Sequence, residues 1–356
     1  MIDQLPLVTT LGGHSALEIC LGAKKLDLKT LVIVEKGREK TYTKYYRNLI
    51  DEIITVESFK ELTSNNIIEI LKNKNCIFIP HRYCQVYCDL SILEKKFPIP
   101  IFGNKYLLKY EERSGLHDQY QLLYEAQIDF PKQFKNPQDI DRLVIIKVNE
   151  AQRRFERAFF FARSHKEYRN KSQTLIKDGK IKESDLPSAI IEEYLIGVQV
   201  NFNFFYSPLT GQLQLLGTDT RRQTNIDGII RLPSSIQQEL SDLVPSYIES
   251  GHIAVTVKES ILEKAFLLAE KLLKAVKIYV PPGIIGPFAL QSAIIPGPPK
   301  EKIVVYDLSF RIPGSPGITA TPYSQYHFGK PVNMGERIAM EIKDSIRLNK
   351  LDHITT

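Results

Sequence analysis

No apolar run in the 356 residues approaches the ~20 that a membrane-spanning helix needs, so no membrane partner is expected. The N-terminus, MIDQLPLVTTLGGHSALE, has neither the basic start nor the apolar middle of a secretory signal. Together these absences lead to the expectation of a soluble, cytoplasmic protein. Cysteine is scarce: Cys20, Cys76, Cys84 and Cys88 supply no CxxC pair and no disulfide framework. Cys84 and Cys88 lie near His81, which leaves a metal site as a second reading, but thiols in a core are the expected state. Internal repeats and low-complexity tracts are missing. So is a concentrated basic stripe. The 47 basic and 41 acidic residues give a net charge of +6, in short separate patches such as Arg153-Arg154 and Arg221-Arg222. Nucleic-acid binders gather such charge onto one face. Nucleic acid is therefore not expected as a partner, whereas an anionic small molecule is.

What is present is an average globular composition, 43% apolar and 25% charged. At roughly 150 residues per domain, the chain has room for two domains or for one large fold with subdomains. The first ~105 residues alternate strand and helix patterns: a strand over 7–11, a helix over 16–26, strands over 31–35 and 76–80, and a helix near 66–72 between them. That alternation implies a parallel, doubly wound layer. A helical pattern follows over 109–126, then a strand over 143–148, then charged helix-like residues to Lys182. From Ala189 strands dominate, at 189–196, 200–206 and 213–216. A long amphipathic helix over 259–277 comes next, then strands over 286–294 and 302–312 and a last helix over 334–349. The fold class is α/β at the start and α+β afterwards.

Three places carry candidate chemistry. The turn Gly12-Gly13-His14-Ser15 follows the first strand and opens a helix, where free amides and close backbone approach favour an anion. In the late strand Val304–Arg311, alternation puts Asp307, Ser309 and Arg311 on one face and Val304, Tyr306, Leu308 and Phe310 on the other. Gln291 lies on the face of Ala289 and Ala293, so an antiparallel hairpin would bring it to Asp307. Two oxygen ligands suit Mg²⁺ with phosphates; a solvated polar face is the competing reading. Lys147, closing the strand over 143–148, either caps the sheet edge or reaches a phosphate. Glu192 and Glu193, inside an apolar strand, either face solvent or accept from a ribose or an exocyclic amine.

In order, LGGHSAL (11–17), EKGRE (35–39), IPH with Tyr87-Cys88 (79–88), IFGNKYLL (101–108), NPQDIDRLVIIK (136–147), IEEYLIGV (191–198), FFYSPL (204–209), TNIDGIIRLP (224–233), VPPGIIGPFALQS (280–292), VVYDLSFRI (304–312) and MGERIAMEIK (334–343) resemble one family. It is the archaeal formate-dependent ligases that make 5-formaminoimidazole-4-carboxamide ribonucleotide in purine synthesis. The resemblance implies an ATP-grasp fold: an N-terminal pre-ATP-grasp domain over 1–108, a central and lid subdomain over 109–188, and a C-terminal domain over 189–356. It implies ATP and Mg²⁺, a ribonucleotide and formate as substrates, a formyl phosphate intermediate with no covalent enzyme adduct, and a homo-oligomer. By position it assigns His14 and His252 to the ribonucleotide. It assigns Lys147, Glu192, Glu193, Gln223 and Arg157 to ATP, and Gln291 and Asp307 to the metal.

Several positions depart from the family pattern. Residues 149–157 replace a glycine-rich lid loop, so Arg153, Arg154 and Arg157 would grip phosphate where a glycine backbone cradles it; the competing reading pairs them with Glu150 and Glu156 on a solvated helix. A serine and the glycine before it are replaced by Tyr83 and Arg82, a glutamate by Gln223, an asparagine by His252 and the metal glutamate by Asp307. Pro313–Gly317 replaces an Asp-Gly-Gly-Thr-Asn run. These changes keep open a divergent nucleotide-binding paralogue with a changed substrate or no turnover.

Overall fold

Leu7–Leu11 (β1), all five residues buried, is an inner strand of a parallel sheet with Thr30–Glu35 (β2), Glu52–Val56 (β3) and Cys76–Phe78 (β4), in the order β3-β2-β1-β4. Apolar residues cover both faces, as a parallel sheet requires. In this computed structural model the described residues are 5–111, 118–148, 158–239, 249–297 and 299–356. They form two further sheets. The smaller joins Gln133–Phe134 (β5), Val144–Val148 (β6), Ala158–Ala162 (β7) and Ile190–Glu193 (β8), antiparallel in the order β5-β8-β6-β7. The larger joins Val198–Ser207 (β9), Gln212–Gln223 (β10), Glu249–Ala254 (β11), Gly286–Ile295 (β12) and Lys302–Ser309 (β13), antiparallel in the order β11-β10-β9-β12-β13.

Three expectations change. The stretch before Lys182 is not all helix: β7 pairs with β6, and among its described residues only His165–Lys177 is helical. Phe159-Phe160-Phe161 has no period of its own, and pairing decides it by burying Phe160 in the small core. Within the helix expected over 109–126, the described residues form the end of a 3₁₀ segment, Lys105–Glu111, and a helix, Gln119–Glu125, capped by Asp118 accepting from the Tyr120 and Gln121 amides. The strand at 190–193 belongs to the small sheet, so that sheet crosses the boundary drawn between 188 and 189.

The large sheet has one apolar face. Phe202, Phe204, Phe288, Leu290, Val305 and Leu308 pack there against Ile261, Ala265, Ala269, Leu272 and Val276 of the helix Glu259–Tyr279. The chain then returns to the first layer. Met334, Ile338 and Ile342 of the helix Met334–Arg347 join Val8, Ile19 and Ala23 in one core. That helix crosses Ala16–Lys25 at a glycine pair: a Cβ on Gly22 would lie 2.0 Å from the Gly335 carbonyl carbon. No helix among the described residues is long and apolar enough to cross a membrane.

Candidate active site

The second face of the large sheet packs Phe205 into the core shared with the first layer but is polar from Asn203 onward, and the ladder fixes which side chains share it. Asn201 pairs with Gln291 and with Asp219, Asn203 pairs with Ala289, and Gln291 pairs with Asp307. Directly paired residues in an antiparallel ladder point to the same face. Asn201, Asn203, Asp219, Gln291 and Asp307 thus form one polar row across four strands, and Arg221 and His252, paired with each other, extend it. A β-bulge between Gln291 and Ser292 leaves Tyr306 as the extra residue in β13. The bulge corrects the expected face assignment. Ahead of it Ile303 and Val305 point to the core, after it Leu308 and Phe310 do, and Val304 and Tyr306 lie outside that cluster.

Hydrogen bonds organise the row. Asp219 is fully buried and accepts from Asn201 Nδ2 at 2.9 Å, from Asn203 Nδ2 at 2.6 Å and from His252 Nδ1. His252 Nε2 donates to Glu249 Oε1 at 2.8 Å. Burial opposes charge on the imidazole, but the hydrogen bonds to Asp219 and Glu249 outweigh it and push the pKa up from 6.5 to about 9. Gln291 Nε2 donates to Ser309 Oγ at 3.0 Å, while Gln291 Oε1 accepts from the Arg221 guanidinium. Arg221 Nε lies 3.1 Å from Glu249 Oε2 without completing a hydrogen bond. The Asn203 Oδ1 is buried and has no partner among the described residues.

The first layer supplies the other wall. The Gly12-Gly13 turn does admit a close approach, but the groups that approach are aromatic rings. A Cβ on Gly13, at φ +138°, would lie 2.1 Å from the Tyr83 ring, and one on Gly12 would lie 3.0 Å from Tyr42. His14 follows at φ 45°. Its Nδ1 is 2.6 Å from Ser15 Oγ, and Ser15 donates its one hydroxyl hydrogen to the Pro313 carbonyl at 2.8 Å. The His14 Nδ1 must then be the donor, which leaves Nε2 as an acceptor. The His14 side chain stays solvent-accessible at the cleft, but desolvation by the groups packed around its ring, with Arg311, His81, Arg82 and His252 nearby, lowers its pKa below the usual value. His81 stacks on His14 with ring centroids 5.6 Å apart. It donates to the Leu11 carbonyl at 2.8 Å and accepts from the Tyr83 amide at 3.2 Å. Burial lowers its pKa to about 4.

Arg311 lies beyond the end of β13. It is buried and ties the layers together: Nε donates to Gln85 at 3.0 Å and Nη2 pairs with Glu111 at 3.3 Å. In the small sheet, Lys147 pairs with Glu192, whose second oxygen accepts from the Tyr120 hydroxyl; Lys147, Glu192 and Tyr120 are all nearly buried. Gln119, next to Tyr120, accepts from the Leu308 amide at 2.6 Å, so one short helix touches both the Lys147 pair and the residue after Asp307. Glu193 is not part of this group; it pairs with Arg142 at 3.2 Å on the outside. Gln223 is half-buried at the end of β10, its backbone N–H donating to Asp227 Oδ2. Arg153, Arg154 and Arg157 fall outside the described residues. Cys20, Cys76 and Cys84 are buried, and the half-buried Cys88 donates to the Phe59 carbonyl.

The structure therefore brings Gln291 to Asp307 and Lys147 to Glu192, and puts His252 on the polar face. Asp219, Arg221, Asn201, Asn203, Glu249 and Tyr120 were not singled out as site residues from the sequence. The Val-Asn-Phe-Asn-Phe alternation of β9 carried the signal for the two asparagines.

Comparison with known proteins places this architecture. Residues 167–356 match a family model described as "Domain of unknown function (DUF1297)", and residues 8–134 match "Protein of unknown function (DUF1246)". The chain is 38% identical, over 98% of its length and 94% of the relative's, to a 5-formaminoimidazole-4-carboxamide-1-(beta)-D-ribofuranosyl 5'-monophosphate synthetase of Methanocaldococcus jannaschii. Identity and coverage are the same for the synthetase of that name from Methanopyrus kandleri. Among solved structures, an IMP biosynthesis protein PurP from Thermococcus kodakaraensis superposes with a TM-score of 0.73 at 25% identity, over 98% of this chain and all of that one. The ADP complex of purK, an N5-carboxyaminoimidazole ribonucleotide synthetase, shares the fold, with a TM-score of 0.61 at 13% identity over 93% of this chain and 79% of that one.

Proposed function

Since the chain belongs to the family of 5-formaminoimidazole-4-carboxamide ribonucleotide synthetases, whose fold is ATP-grasp, we propose that it is an ATP-dependent C–N ligase of purine biosynthesis, transferring formate to the amine of 5-aminoimidazole-4-carboxamide ribonucleotide. The observation that carries this function to the site is the paired Gln291–Asp307 couple on a polar sheet face that also bears Asp219, His252 and Arg221.

The chemistry asks for two anions and an amine held together while phosphoryl charge is neutralised. A formate oxygen attacks the γ-phosphorus of ATP and ADP leaves. The amine nitrogen then attacks the formyl carbon, and phosphate leaves with one of the formate oxygens. No side chain need become covalently attached.

The residues fit Mg²⁺. An amide oxygen and a carboxylate, directly paired, are hard donors of the kind it takes alongside phosphates and water, and the unpartnered Asn203 Oδ1 shows further acceptor capacity on the same face. Gln291 and Asp307 would hold the ion, which supplies positive charge to the transferring phosphoryl group. Lys147, seated on Glu192, is placed to answer ATP phosphate charge from the small sheet, and Gln223 would meet ATP from the end of β10 in the large one. Glu193, turned to Arg142, would have to leave that pair to meet ATP.

His14 is neutral in this account, with a bare Nε2. It accepts a hydrogen bond from an N–H or O–H of the ribonucleotide rather than donating to its phosphate. His252 remains cationic, but both ring N–H groups already serve carboxylates, so its contribution is positive charge on the cleft wall. The protein is taken to work in the cytoplasm as a homo-oligomer. Exposed Tyr124, Leu267, Ile278 and Tyr279 suit a subunit contact, which light scattering measures.

The test is ADP release from ATP and Mg²⁺. Release should require formate and the ribonucleotide together, and His14→Ala should raise the KM for the ribonucleotide by about three- to tenfold, the loss of one hydrogen bond. ADP release indifferent to both co-substrates would contradict the assignment.

A further inference from the structure

Gln291 Oε1, one of the two oxygens assigned above to the divalent ion, already carries a positive group. The Gln291 Nε2 is committed to Ser309, so Oε1 projects onto the polar face, and there it accepts from Arg221. The contact is not a neighbour-strand pair. Arg221 is on β10 and Gln291 on β12, with β9 between them, so the guanidinium reaches across two strand spacings, roughly 10 Å. The arm is not fully bonded where it lies. The buried Arg221 Nε has no hydrogen-bond partner, although Glu249 Oε2 is 3.1 Å away.

Resting on the reading that Gln291 and Asp307 hold the ion, we infer that Arg221 is a resident stand-in cation, which occupies Gln291 Oε1 and must be displaced for a divalent ion to bind there. A guanidinium and a divalent ion on one oxygen repel at close range in a poorly screened cleft. The displaced arm has a nearby acceptor in Glu249 Oε2, where its Nε can complete the missing bond while Glu249 Oε1 stays with His252. Metal entry is thereby linked to β11, and the site resists divalent ions that arrive without enough anionic ligand to repay the exchange.

The experiment measures Mn²⁺ binding to the full chain without nucleotide, from the electron paramagnetic resonance signal of free Mn²⁺. Arg221→Met, and independently Arg221→Gln, should bind Mn²⁺ at least about tenfold tighter than wild type once the competing charge is gone, and Arg221→Lys should stay within about threefold of wild type. Adding Asp307→Asn to Arg221→Met should abolish the gain. Unchanged or weaker binding in both neutral variants overturns the inference alone, provided Asp307→Asn still removes Mn²⁺ binding. A gain that survives Asp307→Asn places the ion elsewhere and overturns the reading of Gln291 and Asp307 along with it.

Discussion

Asp219 and His252 form a buried ion pair on the polar face of the large sheet, with Glu249 on the other imidazole nitrogen at 2.8 Å. A histidine between two carboxylates stays protonated well above its usual pKa. Because the folded pKa of about 9 exceeds the ordinary 6.5, the pair's contribution is fully present below pH 6.5 and is lost as pH rises through 9. Asp219→Asn should flatten that alkaline loss and cost roughly 1–3 kcal/mol at pH 7, because it replaces one of the two oxygens that accept from Asn201, Asn203 and His252 with a donor and removes the charge facing the imidazolium. Chemical denaturation across pH 6–10 measures both, and an unchanged pH profile in Asp219→Asn would contradict the pair.

His14 and His81 have the opposite behaviour. The hydrogen bonds assign a neutral Nδ1–H tautomer to His14 and a neutral Nε2–H tautomer to His81. The unfolded chain takes up a proton near pH 6.5, whereas buried His81 does so only near 4. Stability is therefore lost as pH falls between those values, by about 3 kcal/mol for His81. Nitrogen-15 histidine spectra at pH 7 should show these two tautomers beside a doubly protonated His252; titration of His14 or His81 between pH 6 and 7 would refute the assignment.

The parts of the fold read correctly from sequence are those where one period runs unbroken. Leu7–Leu11 and Gly286–Ile295 are short, mainly apolar runs bounded by turn residues, Glu259–Tyr279 keeps a helical stripe, and Gln291 meets Asp307 as alternation requires. What was missed lies at edges and bulges. Glu249–Ala254 is an edge strand with no apolar alternation. A register shift after Leu215 breaks the pattern of β10, so the apolar run ends at Leu216 and nothing in the alternation marks the polar end of the strand, with Asp219 and Arg221, as its continuation. The extra residue at Tyr306 moved Val305 to the core, and no pattern in the local sequence announces it.

The crossing of helices Ala16–Lys25 and Met334–Arg347 depends on Gly22 lying against Gly335. The obstruction is backbone, which a rotamer change cannot relieve. Gly22→Ala should cost about 1–3 kcal/mol by overpacking. Gly228→Ala, in a helix with open space around it, should be neutral or stabilising by up to about 1 kcal/mol. Thermal melts of the two variants that move together would contradict the contact.

Lys147 and Glu192 should behave as a unit. Lys147→Met leaves the Glu192 carboxylate buried beside Tyr120 without its cation and should cost about 3–5 kcal/mol. Adding Glu192→Gln should recover much of that stability while ATP affinity, measured by calorimetry, stays low. Recovery of ATP binding in the double variant would remove Lys147 from the nucleotide site.

The central claim is that formate is activated by phosphoryl transfer before the amine attacks. The direct measurement supplies formate labelled with ¹⁸O, together with ATP, Mg²⁺ and 5-aminoimidazole-4-carboxamide ribonucleotide, and follows the label in the inorganic phosphate by mass spectrometry. The account predicts one ¹⁸O in each phosphate released, with equal amounts of ADP and formylated ribonucleotide. Phosphate without label, or ADP formed with no formylated product, would contradict it.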